Sequence, residues 1–277
     1  MMLNEIEQDF IEFVAQRNNE SIEAVGKRYQ ISKETISFES KDFLAHIDLS
    51  YQTLQVFFSE HSERSLLESY RYYAFPDMLR MISYSFPKTA TMGGYVRTFA
   101  NALAAGDVEK ITDFLKRKMT REKKISLQDR MLSNRDAPVI VDYGCGLGYL
   151  SYDLAKKSPG AHVVLVDLDT AKLDFTEFRF KKHGIPFTTL RLSAEHQYPI
   201  LPEHSICIAT DVMEHLHKPL LAYQNIRDNM LKGGVLYGNF EDHERKLFHV
   251  HPEMSDLREA VQKDYKRIAP GLYEKMD

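Results

Sequence analysis

The residues best equipped for chemistry begin at Asp142. The apolar run Val139, Ile140 and Val141 stands before it, and Tyr143, Gly144, Cys145, Gly146, Leu147 and Gly148 follow. A strand running into such a turn, with a helix opening behind it, brings backbone close to a ligand where any Cβ would clash. A dinucleotide fingerprint wants Gly or Ala at the sixth position counted from Gly144, but Tyr149 stands there. Asp142 would also repel a pyrophosphate, whereas it suits a ligand carrying an amine or a sulfonium. A nicotinamide oxidoreductase therefore comes last among the readings. A second apolar run, Val163 to Val166, ends in Asp167, 25 residues after Asp142. A carboxylate at that strand end can accept hydrogen bonds from both hydroxyls of a ribose. Asp169 is the near competitor, and its structural role would be an N-cap for the next helix.

Further candidates follow the third and fourth apolar runs. They are Ser193, Ala194 and Glu195, then Thr210, Asp211, Val212, Met213, Glu214, His215, Leu216 and His217. A neutral imidazole can take a proton near pH 7, which makes His215 and His217 candidate bases. Tyr237, His243, His249 and His251 are outsiders for that role. The last three gather with Glu241, Asp242 and Glu244 after the fifth run, as a solvated loop or a substrate rim. Cys145 and Cys207 are the only cysteines, too few for a disulfide framework or a thiolate zinc site, and read as packing residues.

The elements that must position these groups change character near residue 135. Before it, apolar residues recur at helical spacing, as in Ile6, Phe10 and Phe13 or Val108, Ile111, Phe114 and Leu115. Pro76, Pro87 and the Gly93-Gly94 pair interrupt that pattern. After it come short apolar strands, 139–141, 163–166, 187–192, 206–209 and 235–237, with helices expected over 148–157, 170–183 and 218–231. Apolar strands separated by helices imply βαβ units and a parallel sheet covered on both faces. Residues 254–267 read as helix, Gly271-Leu272-Tyr273 as a poor strand, and a closing hairpin as short or missing.

Composition sets the outer bounds. The 277 residues carry 36 Lys and Arg against 40 Asp and Glu, a net charge of −4, with 43% hydrophobic and 27% charged residues. That is the balance of a globular chain without a large basic footprint for nucleic acid. The one dense basic run, residues 116–124, includes Glu122 and no interleaved aromatics, so it reads as a solvated helix end ahead of a contact for phosphate or an acidic substrate. Mean hydropathy is −0.39, and no run approaches the roughly 18 apolar residues of a membrane span. The acidic N-terminus is unlike a signal peptide, and the expected location is cytoplasmic.

Taken in order, the motifs resemble class I S-adenosylmethionine-dependent methyltransferases over residues 138–240. Asp142-x-Gly144-Cys145-Gly146-x-Gly148 is similar to the family's first motif, and Asp167 stands where its ribose acid stands. Ser193-Ala194-Glu195 replaces the common Asp-Ala-Glu, exchanging an acid for a shorter neutral acceptor. Glu214-His215-Leu216 with Pro219, and Leu231-Lys232-Gly233-Gly234, are similar to later motifs, the second lacking a proline. The resemblance implies an α/β, Rossmann-like doubly wound, mostly parallel sheet with an N-terminal all-helical cap. Residues 1–130 would be the cap and 131–277 the cofactor-binding domain.

It also implies in-line methyl transfer, with S-adenosylmethionine held by Asp142, Tyr143, Gly144, Cys145, Gly146, Gly148, Asp167, Leu168, Ser193, Ala194, Glu195 and Asp211. His215 and Glu214 are then the candidate catalytic residues. Asp211, Glu214 and His215 resemble the ligand set of certain metal-dependent O-methyltransferases, which His249 and His251 could complete; many metal-free relatives share the Glu-His pair, and no metal is assigned. Tyr70, Tyr73, Tyr95 and Phe99 of the cap are candidates to line a substrate pocket, with Arg97 for the cofactor carboxylate. The expected acceptor is a small molecule, with nucleic acid and membrane disfavoured. Methylation of a peptide or RNA, or an idle cofactor-binding subunit serving a partner, are the alternatives.

Overall fold

The computed structural model describes residues 5–27, 127–169, 171–193, 196–240, 242 and 253–276. The described residues fall into two compact units, 5–27 with 127–133, and those from 134 onward. The first is helical. Helix α1 spans Glu5–Asn18 and buries Phe10, Ile11, Val14 and Ala15. It stops at Asn19, whose φ of 55° is tolerated by asparagine, and Glu20 N–H then bonds Ala15 O at 2.9 Å. The Ser21 hydroxyl accepts from Ala24 N–H at 3.1 Å, an N-cap for the helical residues 22–27. Helix α2, Leu127–Leu132, buries Met131. The remaining cap candidates, including Tyr70, Tyr73, Tyr95, Arg97, Phe99 and the run 116–124, lie outside the described residues.

The second unit is a seven-stranded sheet in the order β3-β2-β1-β4-β5-β7-β6. Its strands are β1 (Val139–Tyr143), β2 (His162–Leu168), β3 (Phe187–Leu192), β4 (His204–Ala209), β5 (Met230–Gly238), β6 (Tyr265–Ala269) and β7 (Leu272–Lys275). The first five pair in parallel, with Val141 opposite Val164 on β2 and Cys207 on β4. Helices α3 (Tyr149–Lys157), α4 (Ala171–Lys182), α5 (Pro219–Asn229) and α6 (Ser255–Asp264) complete it. Alternate strand residues point to opposite faces. Val141, Val164, Cys207 and Leu236 join Tyr223 and Ile226 of α5 and Leu257 and Val261 of α6 in one core. Ile140, Val163, Leu165 and Ile206 face the other way and are equally buried. On that side α3 packs on β1 and β2, and Phe180 of α4 meets Tyr152 and Phe187 edge-on. Each fully buried aliphatic side chain contributes about 1.5–3 kcal/mol, so two dry faces make this sheet a rigid platform.

The C-terminal expectation needs correcting. The helix stops at Asp264, and Tyr265–Ala269 and Leu272–Lys275 form an antiparallel hairpin whose second strand pairs with β5, Leu236 opposite Tyr273. Pro270 and Gly271 turn it, with Gly271 at φ 69°. Tyr265 and Leu272 are buried, so two apolar side chains met by the sheet outweigh the helical spacing read across 254–267.

Candidate functional site

Strand order reverses between β1 and β4, and in open parallel sheets ligands enter the crevice outside the strand carboxyl ends at that point. The glycine turn stands there. Gly144, Gly146 and Gly148 have φ of 72°, 53° and 60°, a left-handed region that favours glycine. Gly144 has a second constraint, because an added Cβ would lie 2.5 Å from Val212 Cγ2 in the loop after β4. At Gly148 it would meet Thr176 and Phe180 of α4 at 2.8 and 3.0 Å, which keeps α3 close to α4. At Gly146 it would meet nothing within 4 Å, so the middle of the turn is open on that side. Gly144 and Cys145 N–H both bond Val166 O, at 2.7 and 3.1 Å, and Thr176 Oγ1 donates to Gly146 O at 2.8 Å.

Two carboxylates flank this turn. Asp142 is 4% exposed and accepts a hydrogen bond from Ser151 Oγ at 2.5 Å. Burial pushes its carboxyl up to about 7, opposed by the Ser151 bond and reinforced by the negative charge of Asp167. Asp167 is held on both oxygens, Oδ2 accepting from Gly146 N–H at 2.5 Å and Oδ1 from Leu168 N–H at 2.6 Å. An ionised carboxylate has about four acceptor positions, so acceptor capacity remains for a ligand beside these bonds and one from the Cys145 side chain. Burial raises the Asp167 carboxyl above its ordinary value, opposed by those backbone bonds and by Lys172. Lys172, in the first turn of α4, is itself lowered by burial. The competitor Asp169 is spoken for: it pairs with Arg191, which also holds Asp174 at 3.0 Å and Glu177 at 2.7 Å. Burial raises the thiols of Cys145 and Cys207 well above normal, which leaves them un-ionised.

Tyr143 is buried, its hydroxyl donating to Gln197 O at 2.6 Å, so the side chain tethers the chain at Gln197. Ser193 Oγ accepts from His196 N–H at 3.2 Å; Ala194 and Glu195 lie outside the described residues. After β4, Asp211 is exposed with φ 51°. Its N–H donates to Asn239 Oδ1 at 2.7 Å, and its Oδ1 accepts from Asn239 Nδ2 at 2.5 Å. Met213–His215 form a 3₁₀ turn in which Glu214 is 2% exposed and His215 half-buried. The ligand atoms of Asp211, Glu214 and His215 are not gathered within 4.8 Å of one another. His243, His249 and His251, with Glu241 and Glu244, lie outside the described residues. Asp242 is described: both its oxygens accept from Arg258, at 2.7 and 2.8 Å, which ties the loop after β5 to α6.

Sequence reasoning missed Ser151, Thr176 and Asn239. The first two have a faint signal, small hydroxyl residues on the inner faces of the helices flanking a glycine turn. Asn239 has a clearer one, an amide residue directly after the fifth strand. A cavity of about 460 Å³ lies elsewhere, against the amino-terminal halves of β1 to β3, lined by Val139, His162, Val164, Thr188, Leu190 and Pro202 among others. It is remote from the strand carboxyl ends.

Against known proteins, residues 134–272 match a family model described as a methyltransferase domain, half of the chain. Over 55 residues the sequence is 40% identical to ribosomal RNA small subunit methyltransferase C of Acinetobacter baylyi, covering 20% of this chain and 16% of that protein. Over 118 residues it is 22% identical to (S)-coclaurine N-methyltransferase of Thalictrum flavum subsp. glaucum, covering 43% and 33%. The chain thus spans a third or less of the length of these curated relatives. A methyltransferase structure from Aquifex aeolicus matches with a TM-score of 0.41 at 13% identity, over 54% of this chain and 87% of that one.

Proposed function

The chain belongs to the methyltransferase domain family, and from that premise we propose that it transfers a methyl group from S-adenosylmethionine to a small-molecule acceptor. The observation that carries the proposal is the glycine turn braced between two acids. The open side at Gly146 leaves room for the donor's methionine end. Asp142, buried and costly to ionise alone, suits a cationic amine, and Asp167 keeps acceptor capacity for the ribose. These residues therefore fit the donor. Tyr143, Cys145 and Leu168 shape the same turn, and Ser193 with Ala194 and Glu195 would border the adenine.

The donor supplies its own leaving group, so the protein's part is alignment and exclusion of water. For a hydroxyl or an ammonium acceptor a base is also needed, and His215 is the residue for it. Glu214, buried in the same turn, would act by shaping the loop that presents His215. The short match to a ribosomal RNA methyltransferase favours a second reading, an RNA acceptor. The charge balance, 36 basic against 40 acidic residues, supports the small molecule instead.

Isothermal titration with S-adenosylmethionine, S-adenosylhomocysteine and NAD tests the proposal. Micromolar binding of the two sulfur ligands is expected, weakened at least about a hundredfold in Asp167→Ala, which removes two charge-assisted contacts. Binding of NAD alone, or of none of the three, sinks the proposal.

A further inference from the structure

The loops after β4 and β5 are joined by one reciprocal pair. Asp211 N–H reaches Asn239 Oδ1 and Asn239 Nδ2 reaches Asp211 Oδ1, at 2.7 and 2.5 Å. Asn239 is a rigid partner because its neighbours on both sides are pinned. Gly238 donates to Gly271 O at 2.9 Å, and a Cβ there would lie 2.7 Å from Ala209 O. Phe240 is 3% exposed, its ring 5.8 Å from that of Tyr273, and its carbonyl accepts from Arg258 at 3.1 Å. The amide of Asn239 thus projects from the anchored end of β5, and it holds Asp211 at a positive φ of 51°.

That conformation has a consequence for charge. Val212, next in sequence, lies directly against Gly144, so Asp211 sits beside the turn that would cradle the methionine end. Asp142 is buried against Ser151 and Asp167 is braced by two backbone donors, whereas Asp211 is exposed and its Oδ2 has no hydrogen bond among the described residues. We propose that Asn239 is a positioning residue that holds Asp211 where it senses the charge of the methyl donor's sulfur, so that the site favours the cationic donor over its neutral product. On methyl transfer the carbon–sulfur bond breaks with its electron pair staying on sulfur, and an acceptor lone pair makes the new bond. Sulfur loses its positive charge, the attraction to Asp211 vanishes, and release of the thioether is eased. This rests on the cofactor reading above.

The test is titration of the full chain with S-adenosylmethionine, sinefungin (an amine-bearing carbon in place of the methylated sulfur) and S-adenosylhomocysteine. The amino acid, ribose and adenine contacts are common to the three, so the ratio of their affinities reports the positive charge at or beside the sulfur position. An exposed ion pair predicts that wild type prefers the two cations by about two- to fivefold, less at 0.5 M salt. In Asp211→Asn and Asn239→Leu the ratio should fall to near one, and in Asn239→Leu S-adenosylhomocysteine should bind as in wild type, which also shows that this variant is folded. Asn239→Ser, which keeps one polar contact, should restore part of the preference. An unchanged ratio in Asn239→Leu, or no preference in wild type, overturns the proposal with the cofactor reading intact. If wild type binds none of the three, the cofactor reading falls and takes this one with it.

Discussion

Asp142 is an acid buried where water cannot solvate its charge. A carboxyl lifted to about 7 in the folded chain, against 3.8 ordinarily, is protonated in the fold where an unfolded chain has already lost its proton. Its contribution to stability is therefore fully present below pH 4 and is lost as pH rises from 4 to 7. A cation bound beside it reverses the balance by favouring the carboxylate. Affinity for S-adenosylhomocysteine, whose amino group is cationic, should rise with pH up to about 7 and level off above it, the steepest limit being about tenfold per unit. Titration between pH 5.5 and 8 in two buffers of different ionisation enthalpy should show proton release at pH 6 and little at pH 8. A flat affinity profile would remove Asp142 from the binding site. Gly144 illustrates a different constraint, since its φ of 72° and the nearness of Val212 each exclude a side chain.

Among the elements, β4 carries the site at its carboxyl end and a histidine at its other. His204 is fully buried, its Nδ1 2.9 Å from Pro202 O, and burial pushes it down to about 4. The folded chain thus holds a neutral imidazole where the unfolded chain takes up a proton near 6.5. Stability should be unaffected above that value and fall as pH drops from 6.5 to 4, by about 3 kcal/mol over the interval. Urea midpoints at pH 7.5 and 4.5 would measure this, and His204→Gln should flatten the difference. An equal acid sensitivity in that variant would assign the effect to other groups. The hairpin of β6 and β7 supports the same end of the fold: Lys275 Nζ donates to Arg227 O and Met230 O, both at 2.6 Å, satisfying carbonyls at the close of α5.

At the scale of the molecule, charge separates the two acceptor classes. A net charge of −4 provides little counterion release on nucleic acid. Fluorescence anisotropy with a labelled single-stranded RNA should show a Kd weaker than about 100 µM at 150 mM salt, with or without S-adenosylhomocysteine. Tight binding that weakens steeply with salt would instead support the RNA reading. Among the described residues no helix is long and apolar enough to cross a membrane.

The sequence by itself determined the α/β class, the five parallel strands and the place of the glycine turn. Those depend on local patterns, since continuous apolar runs, positive-φ glycines and a strand-end acid such as Asp167 are written in consecutive residues. It favoured Asp167 over Asp169 by position along the strand; in the structure Asp169 pairs with Arg191. Only the tertiary structure decided what distant residues do to one another. Asn239 meets Asp211 across 28 positions, and Tyr265 and Leu272 become strand because a sheet edge stands ready to bury them. Pairing of that kind depends on strand order and register, which no stretch of consecutive residues encodes.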